Sequence, residues 1–161
     1  MPAQKWRARM LALPGSPSAA RLQVTAGEWR QAAEDVAAAG GQLLALWTAP
    51  AAAPAGRGVV RAALLMGDCL LVLELMAPEA DQCYRGLQGI FPCATRMQRA
   101  AFDLSGVASD DPDHRPWLRH AAWPSGAYPL IEPPRGLEPA ALAADDYAFR
   151  RVEGDLSLIH I

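Results

Sequence analysis

Two apolar runs of eight residues, Val59–Met66 and Cys69–Met76, are separated only by Gly67-Asp68. A Gly-X pair at that point suits the two-residue type II′ turn, whose twist matches the strands it joins. The spacing therefore predicts a β-hairpin in the middle of the chain. The same pair, with Arg61 and Glu74 inside the runs, excludes Val59–Met76 as a bilayer span, which needs about 20 uninterrupted apolar residues.

The hairpin needs neighbours, and the flanking sequence supplies them. Arg21-Leu22-Gln23-Val24 alternates and predicts a short edge strand. Thr25-Ala26-Gly27-Glu28 is a capping-box pattern, in which hydroxyl and carboxylate satisfy orphan backbone N–H groups at a helix start. Trp29, Ala32, Ala33, Val36 and Ala37 then recur at helical spacing, and Gly40-Gly41 closes the helix. Leu43-Leu44-Ala45-Leu46-Trp47 is continuously apolar and predicts a strand covered on both faces. Pro78–Gly89 predicts a short helix, or a helix and loop. Thr95-Arg96-Met97-Gln98 repeats the capping logic and opens a helix to Leu104, ended by Gly106. Its apolar face is Met97, Ala100, Ala101 and Leu104; Arg96, Arg99 and Asp103 share the other, with Arg99 and Asp103 spaced for an i,i+4 pair. Residues 107–128 carry Trp117, Trp123, His114, His120, Arg115 and Arg119 among turn formers, the pattern of an interaction segment.

Composition removes several function classes. The chain has 161 residues, 52% hydrophobic and 20% charged, so it is the size of one domain and not of the disordered class. A net charge of −2 argues against nucleic-acid binding. One lysine stands against fourteen arginines, with 33 alanines, a bias that a GC-rich coding sequence produces. Lys5, Arg7 and Arg9 precede only Met10–Leu13 before Pro14, too short for a signal peptide, and a cytoplasmic location is the expectation. Cys69, Cys83 and Cys93 form no Cys-x-x-Cys pair, so no zinc or thioredoxin-like site is encoded, and they read as small buried hydrophobes. His114 and His120 are six apart and lack a ligand cluster; Asp110, Asp111 and Asp113 read as a solvated acidic turn. Gly86-Leu87-Gln88-Gly89 lacks dinucleotide-loop spacing. No Ser-His-Asp arrangement is arguable.

Three segments in order carry a resemblance. Ile90–Val107 (Ile-Phe-Pro-Cys-Ala-Thr-Arg-Met-Gln-Arg-Ala-Ala-Phe-Asp-Leu-Ser-Gly-Val) has a Phe-Pro-x-Ala step, a helix with an Arg, an Asp four residues on, and a Gly-Val end. It resembles the 30-kDa subunit of respiratory complex I and the homologous N-terminal domain of group 4 nickel–iron hydrogenase large subunits. Asp113–Pro124 is similar to the hydrogenase version, where the complex I subunit would carry a Gly-His-Pro-Asp-Leu-Arg-Arg type of sequence. Tyr147–Asp155 resembles the opening strand of the hydrogenase catalytic domain.

The resemblance implies an α+β fold, a two-layer mixed sheet with helices on one face, followed by an irregular extended C-terminal segment. It divides the chain into a loosely ordered leader (1–20), the 30-kDa-like domain (21–128), a Pro-rich linker (129–146) and the start of a catalytic domain (147–155). It implies no catalytic, cofactor or metal residue in this chain. The nickel–iron centre would belong to the catalytic domain, held by two Cys-x-x-Cys pairs, and the iron–sulfur clusters to partner subunits. The expected partners are that catalytic domain and the iron–sulfur subunits, with no nucleic acid and no direct membrane insertion; location would be cytoplasmic, peripheral to the membrane through the complex. Arg96, Arg99, Asp103, Arg115, Trp117 and Trp123 are the candidate interface or packing residues. Leu156–Ile161 departs from the family pattern, holds two of the four isoleucines, and resembles translated sequencing-adapter DNA, so the native sequence is expected to end near Asp155. A 30-kDa subunit of NADH–quinone oxidoreductase and a stand-alone interaction module are the alternatives.

Overall fold

The computed structural model describes residues 5–15, 18–50, 58–77, 83–119 and 126–130. Its elements are β1 (Leu11–Ala12), β2 (Ala19–Val24), α1 (Ala26–Ala38), β3 (Gln42–Ala49), β4 (Val59–Met66), β5 (Cys69–Met76) and α2 (Ala94–Ser105). The hairpin forms as its spacing predicts: β4 and β5 pair antiparallel along their full lengths, from Val59 opposite Met76 to Met66 opposite Cys69. Gly67 sits at φ +59 and Asp68 keeps a negative φ, the combination that separates a type II′ turn from a type I′ turn.

The sheet has five strands in the order β1-β2-β5-β4-β3. All neighbours are antiparallel except β2 and β5, which run parallel. Register aligns apolar side chains into rows across four strands: Leu22, Leu73, Ala62 and Leu46 form one, and Val24, Leu75, Val60 and Thr48 another. Side chains alternate across a strand, so these rows share one face. Trp29, Ala32, Ala33 and Val36 of α1 join the same buried cluster, as do Ala94 and Ala101 of α2. This is the two-layer α+β arrangement expected. The opposite face carries Gln23, Glu74, Arg61 and Trp47 in register, with an Arg61–Glu74 pair at 2.9 Å.

Several expectations are corrected. β2 is not an edge strand: β1 pairs its outer side, and Leu13 N–H bonds Ala19 C=O at 2.8 Å. The described part of the expected loose leader packs on the domain. Trp6 is only 3% exposed, its indole N–H donates to Asp35 at 3.0 Å, and Arg9 pairs with Glu28 at 2.6 Å. Glu28 also accepts the Thr25 backbone N–H and hydroxyl, so the capping carboxylate ties α1 to the N-terminal segment. With Arg9 as the main cause and the Thr25 N–H next, its pKa falls to about 2.

β3 is a sheet edge buried on one face, not on both. A bulge between Leu43 and Ala45 turns Leu44 outward. Residues 83–89 form no helix; Tyr84 instead bridges Ser109, and residues 78–82 lie outside the described set. All three cysteines are exposed rather than buried. The Pro-rich linker beyond residue 130, the 147–155 segment and the tail at 156–161 also lie outside the described residues.

Candidate docking surface on helix α2

Helix α2 begins one residue before Thr95, with Cys93 at its N-cap and no side-chain cap. The expected capping box does not form, because Gln98 is 1% exposed and engaged elsewhere. Its carbonyl accepts Leu87 N–H at 2.7 Å, and its amide donates to Asp111 at 2.9 Å and Gln88 at 3.2 Å. The buried face of α2 therefore runs through Ala94, Gln98, Ala101 and Ser105, a rotation away from the predicted apolar stripe. Met97, Ala100 and Leu104 are only half-buried.

Asp103 faces a different neighbour. It is 2% exposed, and one carboxylate oxygen accepts three consecutive backbone N–H groups: Trp117 at 2.7 Å, Leu118 at 2.7 Å and Arg119 at 3.1 Å. Burial raises its pKa, but the three N–H donors and the Arg119 charge outweigh that and hold it below the ordinary carboxylate value. The expected Arg99–Asp103 pair does not form. Arg99 instead donates to the carbonyls of Arg115 at 2.5 Å and Pro116 at 3.1 Å and pairs with Asp113 at 3.0 Å. Asp113 also pairs with Arg115 at 2.7 Å, which is the main cause of its lowered pKa.

These bonds bind residues 111–119 across α2 as a belt. The acidic turn is part of the fastening and only partly solvated: exposed Asp110 accepts Gly86 N–H at 2.6 Å, and buried Asp111 accepts Asp113 N–H at 2.9 Å. Beyond the belt, Tyr128 closes over Gly106, where an added Cβ would lie 2.9 Å from its ring; Gly106 also needs φ +72 to end the helix. Leu130 N–H then bonds Leu104 C=O at 2.9 Å. A cavity of about 20 Å³ beneath the belt, lined by Gln98, Asp103 and Ser109, has room for one water.

What the belt presents outward is Trp117, 48% exposed, with the guanidiniums of Arg96 and Arg99 each 5.3 Å from its ring centroid. Leu118 is exposed beside it. Five of the six candidate residues thus converge, with Asp103 and Arg99 turned inward as fasteners and Arg96, Arg115 and Trp117 outward. Trp123 lies outside the described residues. Leu118 escapes sequence reasoning, and Gln98 is read there only as a capping partner; the signal for its burial is the i+4 spacing from buried Ala94.

Among the described residues no group of three or more His, Cys, Asp or Glu side chains could hold a metal ion, and no helix is long and apolar enough to cross a membrane. What the described surface offers is cationic and aromatic contact.

No family model and no curated protein matches the chain. Solved structures do. A trypsin-resistant fragment of Nqo5 superposes with TM-score 0.56 at 14% identity, over 70% of this chain and 93% of that one. A chain of the membrane-bound sulfane sulfur reductase, an archaeal respiratory membrane complex, superposes with TM-score 0.65 at 16% identity, over 80% and 78%. At these identities the likeness establishes a shared fold.

Proposed function

We propose that this chain is the docking domain of a group 4 nickel–iron hydrogenase large subunit, held at the membrane within an electron-transfer complex. The observation that carries the proposal is the belt. A buried carboxylate and an arginine fix residues 113–119 on α2 so that Trp117 and Leu118 stand exposed beside Arg96, and Trp and Arg are the residue types that dominate interface energetics. Of the segments resembling the hydrogenase branch, Ile90–Val107 and the described part of Asp113–Pro124 lie on this helix and belt, and Tyr147–Asp155 lies outside the described residues. The shared fold with Nqo5 and the archaeal respiratory complex supports assembly into a multi-subunit partner.

The described residues do not fit a nickel–iron or iron–sulfur ligand set: Cys69 opens β5 at the hairpin turn, Cys93 caps α2, and no cluster joins them to Cys83. The parent's nickel–iron centre would be held by its catalytic domain and the iron–sulfur clusters by partner subunits. A second reading, the 30-kDa subunit of NADH–quinone oxidoreductase, is favoured by the match over nearly all of the Nqo5 fragment.

Native gels of detergent-solubilised source membranes, probed with an antibody to this domain, test the proposal. The expected result is a high-mass band containing nickel and iron, whose reactive polypeptide carries two Cys-x-x-Cys pairs. A high-mass band without nickel and with a small reactive polypeptide selects the second reading. A free monomer in the soluble fraction overturns both.

A further inference from the structure

We propose that Trp117 and Arg96 form a binding site for an acidic, partly apolar segment of a partner protein, with a carboxylate on Arg96 and an aliphatic side chain on the indole. The proposal rests on reading this surface as a docking face. Arg96 is exposed, and among the described residues its guanidinium has no carboxylate or carbonyl partner; its one contact is the Trp117 ring. It also stands in the first turn of α2, which holds no acidic residue. The helix dipole disfavours a cation there, so the stability of α2 does not account for it.

The two neighbouring guanidiniums differ. Arg99 and Arg115 share the single carboxylate of Asp113, while the Asp103 charge is buried against backbone N–H groups. Arg96 and Arg99 thus flank the Trp117 ring, with Arg115 two residues away in sequence, and these three cations have the one Asp113 carboxylate among them on a chain whose net charge is −2. The patch is positive against its own background and complementary to carboxylates. Trp117 adds a fixed apolar platform, because the backbone bond to Asp103 and the flanking guanidiniums hold it in place before any partner arrives. An arginine–tryptophan pair also stacks on nucleic-acid bases, but the overall negative charge opposes a polyanion.

The test uses the ¹⁵N-labelled full chain and its five indole N–H signals, with Trp117 assigned by Trp117→Phe. The probe is a blocked Asp-Leu-Glu-Leu-Asp peptide; the controls are the Asn-Leu-Gln-Leu-Asn isostere and a six-nucleotide oligothymidine. The acidic peptide is expected to shift the Trp117 signal saturably at millimolar concentration or below, and Arg96→Glu to weaken it about tenfold or more. Among the described residues Arg96 has no hydrogen bond or ion pair to lose and touches only the Trp117 ring, so the other four indole signals should stay in place. No shift, an equal shift with the isostere, indifference to Arg96→Glu, or tighter binding of the oligonucleotide each overturns the proposal. Failure here with a high-mass band on the native gel removes the acidic partner and leaves the docking role. Peptide binding with a soluble monomer does the reverse.

Discussion

Asp103 shows how far one residue's meaning depends on what approaches it. On a helical wheel it is a polar residue four positions from Arg99, worth a few tenths of a kcal/mol as a surface pair. In the fold it is a buried anion holding three backbone N–H groups. Replacing it by Asn keeps the shape but removes the charge, and should cost about 1 kcal/mol or more, the usual difference between a charge-assisted and a neutral hydrogen bond. Urea denaturation measures this; a loss under about 0.5 kcal/mol would mean neutral acceptors suffice to fasten the belt. The pH dependence has a definite sign. Because the folded pKa is lowered, the contribution is complete above the ordinary aspartate value of 3.8 and fades as pH falls through the folded pKa. Asp103→Asn should therefore flatten the acid limb of the stability curve while leaving its shape near pH 7 unchanged. Gln98 was illegible for the same reason as Asp103: both are satisfied by loops distant in sequence, at separations no local pattern reports.

At the scale of elements, periodicity was legible where it was regular and failed where an extra residue broke it. The hairpin and α1 follow their patterns, including the Glu28 arm of the capping box. β3 misleads because the bulge at Leu44 places two outward residues in succession. The alternation of Leu43, Leu46 and Thr48 then looks like a continuous apolar run. The N-terminal segment misleads differently. Residues 1–20 read as a loose leader, yet Leu11–Ala12 pairs antiparallel with β2, with a turn at Pro14-Gly15 on the connection between them. Trp6→Ala tests the weight of that segment: truncating a buried tryptophan typically costs about 3–5 kcal/mol, whereas a loose leader would tolerate the change. Thermal or urea unfolding distinguishes these outcomes directly.

At the scale of the whole molecule, the α+β class was legible because motif and periodicity agreed, while strand order was not. Nothing local in Arg21–Val24 says that it pairs in parallel with β5. The polar outward residues Arg21 and Gln23 suggest an edge, and only the open second face of the sheet explains them inside it. Leu22 meets Leu73 across about fifty intervening residues, so loop-closure entropy opposes this pairing more than any other in the sheet. Leu22→Ala should then accelerate unfolding and leave the folding rate nearly unchanged, as residues that dock after the transition state do. Stopped-flow chevrons read both limbs; a slowed folding limb would put β2 in the nucleus instead.

That parallel closure also orders events during synthesis. β2 and α1 leave the ribosome well before β5, with the apolar stripe of Trp29 and Val36 formed before the sheet that covers it is complete. The surface stays open until β5 has cleared the exit tunnel, which at ordinary translation speeds takes a few seconds or more. During that interval the nascent chain is a natural client for a chaperone that shields apolar helices, and a pause placed within the hairpin would prolong its exposure.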